Sequence, residues 1–134
     1  MHQPPQRIAR LRVRPSFGLL SEAPGYTLTL LRVAVGYRLE AISLGKPRQR
    51  RKVDVDAVDA ERWLAALKKA TVPAFPCSPM VCDGEYLELT VEGECSTLTL
   101  SWWTIAPTGA EVVEEFANWM RSLRNFEELY FDGE

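Results

Sequence analysis

Few side chains in this sequence belong to the types that catalyse reactions or bind metal ions. The only histidine, His2, lies in a start of six residues that is predicted to be disordered. The three cysteines are Cys77, Cys82 and Cys95, and three thiolates without a fourth ligand do not complete a structural zinc site. Cys77 and Cys82 are either small half-buried residues or a pair that bonds in an oxidising compartment. The sequence therefore predicts neither a metal centre nor a cofactor.

Nucleophilic and acid–base catalysis lack the partners that they need. A cysteine or serine nucleophile usually needs a base, most often a histidine, and no framework holds His2 in place. Cys82 is followed by Asp83, whose negative charge disfavours the reactive thiolate. The eight glycines are scattered and form no phosphate-binding loop. We therefore expect a protein that is not an enzyme and has no catalytic residues.

Charge is distributed unevenly along the chain, although the net charge is only −2. Residues 1–52 contain 11 Lys/Arg and two acidic residues, whereas residues 53–134 contain 5 Lys/Arg and 16 acidic residues. Basic side chains neutralise phosphates, so nucleic-acid binding is the alternative function. The competing interpretation is that the two halves neutralise each other across a sheet. The candidate nucleic-acid-binding residues are Arg10, Arg12, Arg14, Arg48, Arg50, Arg51 and Lys52.

The second half of the sequence contains candidates for a protein interface. Trp103 should point outward if Trp102 points into the core, because successive strand residues face opposite sides of a sheet. An outward Trp beside Tyr86 is typical of an interface anchor, although a C-terminal helix or tail could equally cover it. Carboxylates would steer the domain onto a basic partner. The predicted partner-binding residues are Tyr86, Glu88, Glu92, Trp103, Glu127, Glu128 and Tyr130.

Alternating apolar and polar residues predict the strands. In the first of them, Leu11 and Val13 face a core while three arginines face outward. In the second strand the alternation changes phase at Leu31, which predicts a β-bulge there. The predicted strands cover residues 10–14, 26–35, 37–44, 49–55, 85–92 and 97–103, and the last two form a hairpin.

Helix signals occur in two places. Asp56, with Asp59 three residues later, places carboxylates at the start of a first helix, which ends before Pro73. Thr108 and Glu111 match a capping box at the start of a second helix with one apolar stripe.

The order of these elements predicts an α+β fold. We expect an antiparallel sheet of five or six strands with two main helices packed on one face. Residues 1–134 should form a single domain, with residues 125–134 as an acidic tail. No apolar stretch has the length of a signal peptide or a membrane span, so we expect a cytoplasmic protein that does not engage a membrane.

From Val53 to Leu123 the sequence resembles a loosely defined group of small bacterial proteins. The shared features are Trp63-Leu64 and Leu67, Val72-Pro73, Asp83-Gly84-x-Tyr86-x-Leu-x-Leu89, Trp102-Trp103, Pro107 and a closing amphipathic helix. Small acidic α+β proteins of this kind are often similar to immunity proteins that neutralise a secreted or contact-delivered toxin. The resemblance implies a non-enzymatic protein-binding domain and carries over no catalytic residues. The basic first half departs from a uniformly acidic inhibitor.

Overall fold

The structure, a computed structural model, describes residues 4–15, 25–45, 48–73, 84–93 and 95–123. The described residues form six β-strands and two α-helices, which confirms the predicted α+β class. The elements are β1 (Gln6–Pro15), β2 (Tyr26–Val33), β3 (Gly36–Ser43), β4 (Gln49–Val55), α1 (Ala57–Lys69), β5 (Glu85–Glu92), β6 (Thr97–Trp103) and α2 (Glu111–Leu123). The first strand begins at Gln6, inside the start that the sequence predicts to be disordered.

The strands form one antiparallel sheet in the order β4-β3-β2-β1-β5-β6. Each of the first three strands pairs with the next along the chain, and the β5–β6 hairpin then pairs on the other side of β1. Strand β1 is therefore central, and Leu11 lies between Leu28 of β2 and Leu89 of β5. The first strand of the basic half thus joins the acidic hairpin to the rest of the sheet.

One face of the sheet is apolar and packs against both helices, as predicted. The alternation places Leu11, Leu28, Leu39, Leu89 and Trp102 on this face, and all five are buried. The helices add Ala60 and Leu64 from α1 and Phe116 and Met120 from α2 to the same core. The helices also contact each other, because the rings of Trp63 and Trp119 stack with centroids 5.9 Å apart.

The starts of the two helices match the predictions to different degrees. The Asp56 carboxylate accepts a hydrogen bond from the backbone N–H of Asp59 at 3.3 Å, so Asp56 caps α1 as expected. At α2 the Glu111 carboxylate also reaches back, but it accepts from the N–H of Gly109, at 3.1 Å. A turn in which Ala110 N–H donates to the Pro107 carbonyl places the helix start beyond Thr108. The predicted reciprocal box with Thr108 is therefore wrong.

The bulge lies in β1 and not at Leu31, where the sequence predicts it. The pairing of β2 with β3 runs without interruption from Tyr26 to Val33. The register between β1 and β2 instead shifts between Arg7 and Ala9, so Ile8 is the additional residue. Leu31 breaks the apparent alternation only because an apolar residue lies on the outward face of β2, opposite Arg7.

Gly84 is required at the turn that leads into β5. Its φ is +133°, and a Cβ atom built there would lie 1.7 Å from Oγ1 of Thr104. Thr104 Oγ1 accepts a hydrogen bond from Glu85 N–H at 3.2 Å, and Thr104 N–H donates to the Glu85 carbonyl at 2.7 Å. A side chain at position 84 would therefore disrupt the end of the β5–β6 pairing.

We expect Gly84→Ala to lower the free energy of unfolding by roughly 2–5 kcal/mol, the combined cost of backbone strain and overpacking. The matched control is Gly36→Ala, because Gly36 also has a positive φ, +109°, but a Cβ there meets no atom within 4 Å. Gly36→Ala should lower the free energy of unfolding only by the cost of backbone strain, about 1–3 kcal/mol. Urea denaturation of the two variants checks this, and equal losses would contradict it.

Candidate functional site

The face of the sheet opposite the core carries the outward side chains of all six strands and is called the open face here. Both helices lie on the other face of the sheet, so no described helix covers it. The register between strands places its residues in rows. The open face includes Arg10, Arg12, Arg14, Glu40, Arg50, Lys52, Tyr86, Glu88, Thr90 and Trp103.

An aromatic pair lies on the open face at the β5–β6 hairpin. Tyr86 and Trp103 are direct cross-strand partners, and their ring centroids are 5.2 Å apart at an interplanar angle of 59°. Trp103 is 46% exposed, whereas its neighbour Trp102 is 2% exposed. The structure thus places Trp103 outward, and α2 does not cover it. A tilted aromatic pair of this kind is a rigid apolar patch surrounded by polar side chains.

The arginine row of β1 runs beside this aromatic pair. Arg14 is the cross-strand partner of Tyr86, Arg12 is the partner of Glu88, and Arg10 is the partner of Thr90. Residues that the sequence assigns to two different functions therefore lie on one surface. Because Glu88 lies opposite Arg12, the middle arginine of the row, the surface has mixed charge, in agreement with packing of the basic half against the acidic half.

Glu92 is engaged by an arginine that the sequence does not single out. Arg7 donates from Nε and from one terminal nitrogen to the two Glu92 carboxylate oxygens, at 2.8 and 2.9 Å. The hydrogen bond from Arg7, together with the charges of Arg7 and Arg10, holds the pKa of Glu92 below its usual range despite some desolvation. The same hydrogen bond raises the pKa of Arg7. Glu92 is thus ionised and paired within the chain at neutral pH.

Acidification should weaken this link. The pKa of Glu92 is lower in the folded than in the unfolded chain. Its contribution to the free energy of unfolding is therefore present above the unfolded pKa and is lost as the pH falls through the folded pKa. We expect Glu92→Gln to have a lower melting temperature than wild type at pH 7. Between pH 7 and pH 3 the melting temperature of Glu92→Gln should fall by less than that of wild type. Thermal unfolding between pH 7 and pH 3 measures this, with Glu61→Gln on exposed helix surface as the control. Identical pH profiles for wild type and Glu92→Gln would contradict it.

Arg121 ties the end of α2 to strands β2 and β5 of the sheet. Its guanidinium donates to the Tyr26 hydroxyl at 2.7 Å and to both Glu85 carboxylate oxygens at 2.9 and 3.1 Å. Burial acts to lower the pKa of Arg121, but Tyr26 and Glu85 together outweigh it and the pKa is raised. Glu85, the residue before Tyr86, is therefore held by an internal ion pair and helps to fix the start of β5.

The basic residues near β4 do not form one continuous site. Alternation along the strand places Arg50 and Lys52 on the open face and Arg51 on the opposite face, while exposed Arg48 lies outside the strand. Glu40 is the cross-strand partner of Lys52. A strand cannot present consecutive residues on one face, so the structure divides the run that the sequence suggests as a single patch.

Several predicted residues lie outside the described part of the chain. Glu127, Glu128 and Tyr130 of the tail are among them, as are Cys77 and Cys82. Within the described ranges, no group of three or more His, Cys, Asp or Glu side chains is placed to hold a metal ion. Neither described helix has the length and apolar character needed to cross a membrane.

Comparison with known proteins adds nothing to these observations. No protein-family model matches the sequence, and no curated protein matches it significantly. Functional inference therefore depends on the open face itself.

Proposed function

We propose that this protein is a non-enzymatic, cytoplasmic bacterial immunity protein that neutralises a cognate toxin by direct binding. The open face around Tyr86 and Trp103 is the proposed binding surface. The observation that supports this most is the exposure of Trp103, 46%, in an aromatic pair on a sheet face that neither helix covers. Large aromatic side chains are enriched among the residues that dominate binding energy at protein interfaces.

The surroundings of the aromatic pair favour a protein partner. Arg14 lies beside Tyr86, and Glu88 lies one row further along β5. Arginine and aromatic anchors within a rim of both charges are typical of protein interfaces, where the charges fix orientation and speed up association. The pair also lies on paired strands, so little ordering free energy would be lost on binding.

Nucleic-acid binding is the second candidate, and one observation favours it. Arg10, Arg12 and Arg14 form a row next to two aromatic rings, an arrangement in which phosphates could contact arginines while bases stack. Glu88 and Glu40 interrupt the positive surface, which favours the protein partner over this alternative. Titration of labelled single- and double-stranded nucleic acid at two salt concentrations tests it. Absence of binding at low salt would remove the candidate, because electrostatic binding is strongest there.

The test of the immunity function is a rescue experiment. A toxin domain encoded next to this gene is expressed in a sensitive cell with wild-type protein, with Trp103→Ala, or with Val35→Ala. Val35 is a matched control because it is an exposed apolar residue, 95% exposed, in the turn between β2 and β3. We expect wild type and Val35→Ala to restore growth and Trp103→Ala to restore it less. Failure of wild type to rescue any neighbouring toxic gene would contradict the proposal.

A further inference from the structure

Strand β6 lies at an edge of the described sheet and lacks the charged residues and prolines by which many edge strands avoid pairing with other chains. No other described strand pairs with its outer side, and its residues, Thr97–Trp103, include no charged residue and no proline. The opposite edge, β4, has the sequence QRRKVDV and is highly charged. Charged side chains and prolines normally prevent edge-to-edge association. By this criterion β4 is protected and β6 is not.

The hydrogen bonds at the two ends of the hairpin show which backbone groups of β6 point away from the sheet. Thr104 N–H donates to the Glu85 carbonyl at 2.7 Å, and Gly93 N–H donates to the Ser96 carbonyl at 2.8 Å. Even-numbered residues therefore direct their backbone groups toward β5, and odd-numbered residues direct theirs outward. Thr97, Thr99 and Ser101 are exposed, and no strand of the described chain pairs with this side of β6.

Apolar side chains gather at the same edge. Leu98 and Trp103 in β6 are 49% and 46% exposed, and Ile105 just after the strand is 50% exposed. Leu98 lies on the core face of the sheet, at a point where the sheet edge leaves it incompletely covered. A strand added next to β6 would cover part of this apolar surface in addition to satisfying the outward backbone groups.

We infer that a second copy of this chain pairs with β6 in an antiparallel, two-fold symmetric manner. With the axis at Leu100, Leu98 of one copy lies opposite Trp102 of the other, and Thr99 lies opposite Ser101. This register keeps Leu98, Leu100 and Trp102 on the core face of the joined sheet, and Thr97, Thr99, Ser101 and Trp103 on its open face. It brings no like charges together, because the strand has none. The interface is self-complementary, as a two-fold dimer requires.

The choice of a second copy over a foreign strand follows from charge. An uncharged strand has no charge pattern with which to select a foreign partner, whereas pairing with itself sets Leu98 against Trp102 and Thr99 against Ser101. The inference does not rest on the proposed function. Pairing would place Thr97 of the second copy next to Trp103, but the side chains of Tyr86 and Trp103 stay on the open face.

The test is sedimentation velocity of the full chain over a wide range of concentration, with one proline placed at each edge. Thr99→Pro removes an N–H that points outward from β6. Lys52→Pro is the matched control at the other edge. The hydrogen bond from Leu44 N–H to the Gly25 carbonyl shows that even-numbered residues of β3 direct their backbone groups toward β2 and odd-numbered residues toward β4. The register of β3 with β4 then leaves the backbone groups of even-numbered β4 residues, such as Lys52, pointing away from the sheet. We expect a concentration-dependent dimer for wild type and Lys52→Pro. Thr99→Pro should raise the dimer dissociation constant by at least about tenfold, because both copies carry the substitution and the dimer loses two backbone hydrogen bonds.

Three results would overturn the inference. These are a wild type that stays monomeric at every concentration, a Thr99→Pro dimer as tight as wild type, and a dimer that Lys52→Pro breaks while Thr99→Pro does not. Circular dichroism shows whether each proline variant is folded. If Thr99→Pro is not, Ser101→Lys takes its place, since Ser101 is exposed and a charge at this edge should likewise dissociate the dimer.

Discussion

Replacing Trp103 with alanine should weaken binding to the toxin partner by more than about 1 kcal/mol, because exposed tryptophans on rigid surfaces commonly act as binding hot spots. The fold should be largely unaffected, since the side chain is 46% exposed and lies on the face away from the core. Removing it also leaves the Tyr86 ring without its partner at 5.2 Å. Isothermal titration calorimetry with the purified toxin domain measures the loss.

The control for this prediction is Val35→Ala, which removes apolar surface elsewhere on the molecule. It should bind as wild type does. A Trp103→Ala protein that is folded and binds with unchanged affinity would show that the aromatic pair is not the anchor.

Replacing Trp102 with alanine should have the opposite profile and reduce stability. Trp102 is 2% exposed and belongs to the core between the sheet and the helices. Large-to-small substitutions at such sites cost about 3–5 kcal/mol, the loss of buried apolar surface plus the cavity that remains. Urea denaturation followed by circular dichroism gives the free energy of unfolding, and Trp103→Ala should lose far less in the same experiment.

A second substitution at position 102 separates packing from hydrogen bonding. The indole N–H of Trp102 is buried and has no hydrogen-bond acceptor in the described structure. Trp102→Phe should therefore cost clearly less than Trp102→Ala, because it keeps most of the apolar volume and loses no bond. Equal losses for Trp102→Ala and Trp103→Ala would contradict the assignment of the two faces of β6.

The contrast between these adjacent tryptophans could be predicted because it depends on local alternation alone. A strand directs successive side chains to opposite faces, so the apolar partners Leu100 and Trp102 imply an outward Trp103. The cap at Asp56 was predictable for the same reason, since the hydrogen bond spans only three residues. The box predicted at Thr108 and Glu111 is also local but wrong, because the turn from Pro107 to Ala110 moves the start of the helix.

Contacts between distant segments could not be predicted in this way. The pairing of β1 with β5 places Arg12 beside Glu88 and Arg14 beside Tyr86, and nothing in either strand specifies that register. The ion pair of Arg7 with Glu92 likewise depends on it. The sequence therefore suggested two separate sites where the fold builds a single surface.

The bulge shows the limit of reading alternation in one strand. A change of phase at Leu31 has two explanations, an extra residue or an apolar residue on the outward face. Only the pairing with β1 distinguishes them, and it places the extra residue at Ile8. A bulge is a property of two strands together, so one strand cannot locate it.

The most direct test of the proposed binding surface is nuclear magnetic resonance of the four tryptophan indole N–H signals during titration with the neighbouring toxin domain. Trp103 lies on the open face, Trp102 is buried, and Trp63 stacks on Trp119 on the helical side of the sheet. Signals are assigned with Trp→Phe variants. We predict that binding shifts or broadens the Trp103 signal most strongly. Changes confined to Trp63 and Trp119, with Trp103 unchanged in a saturated complex, would contradict the account.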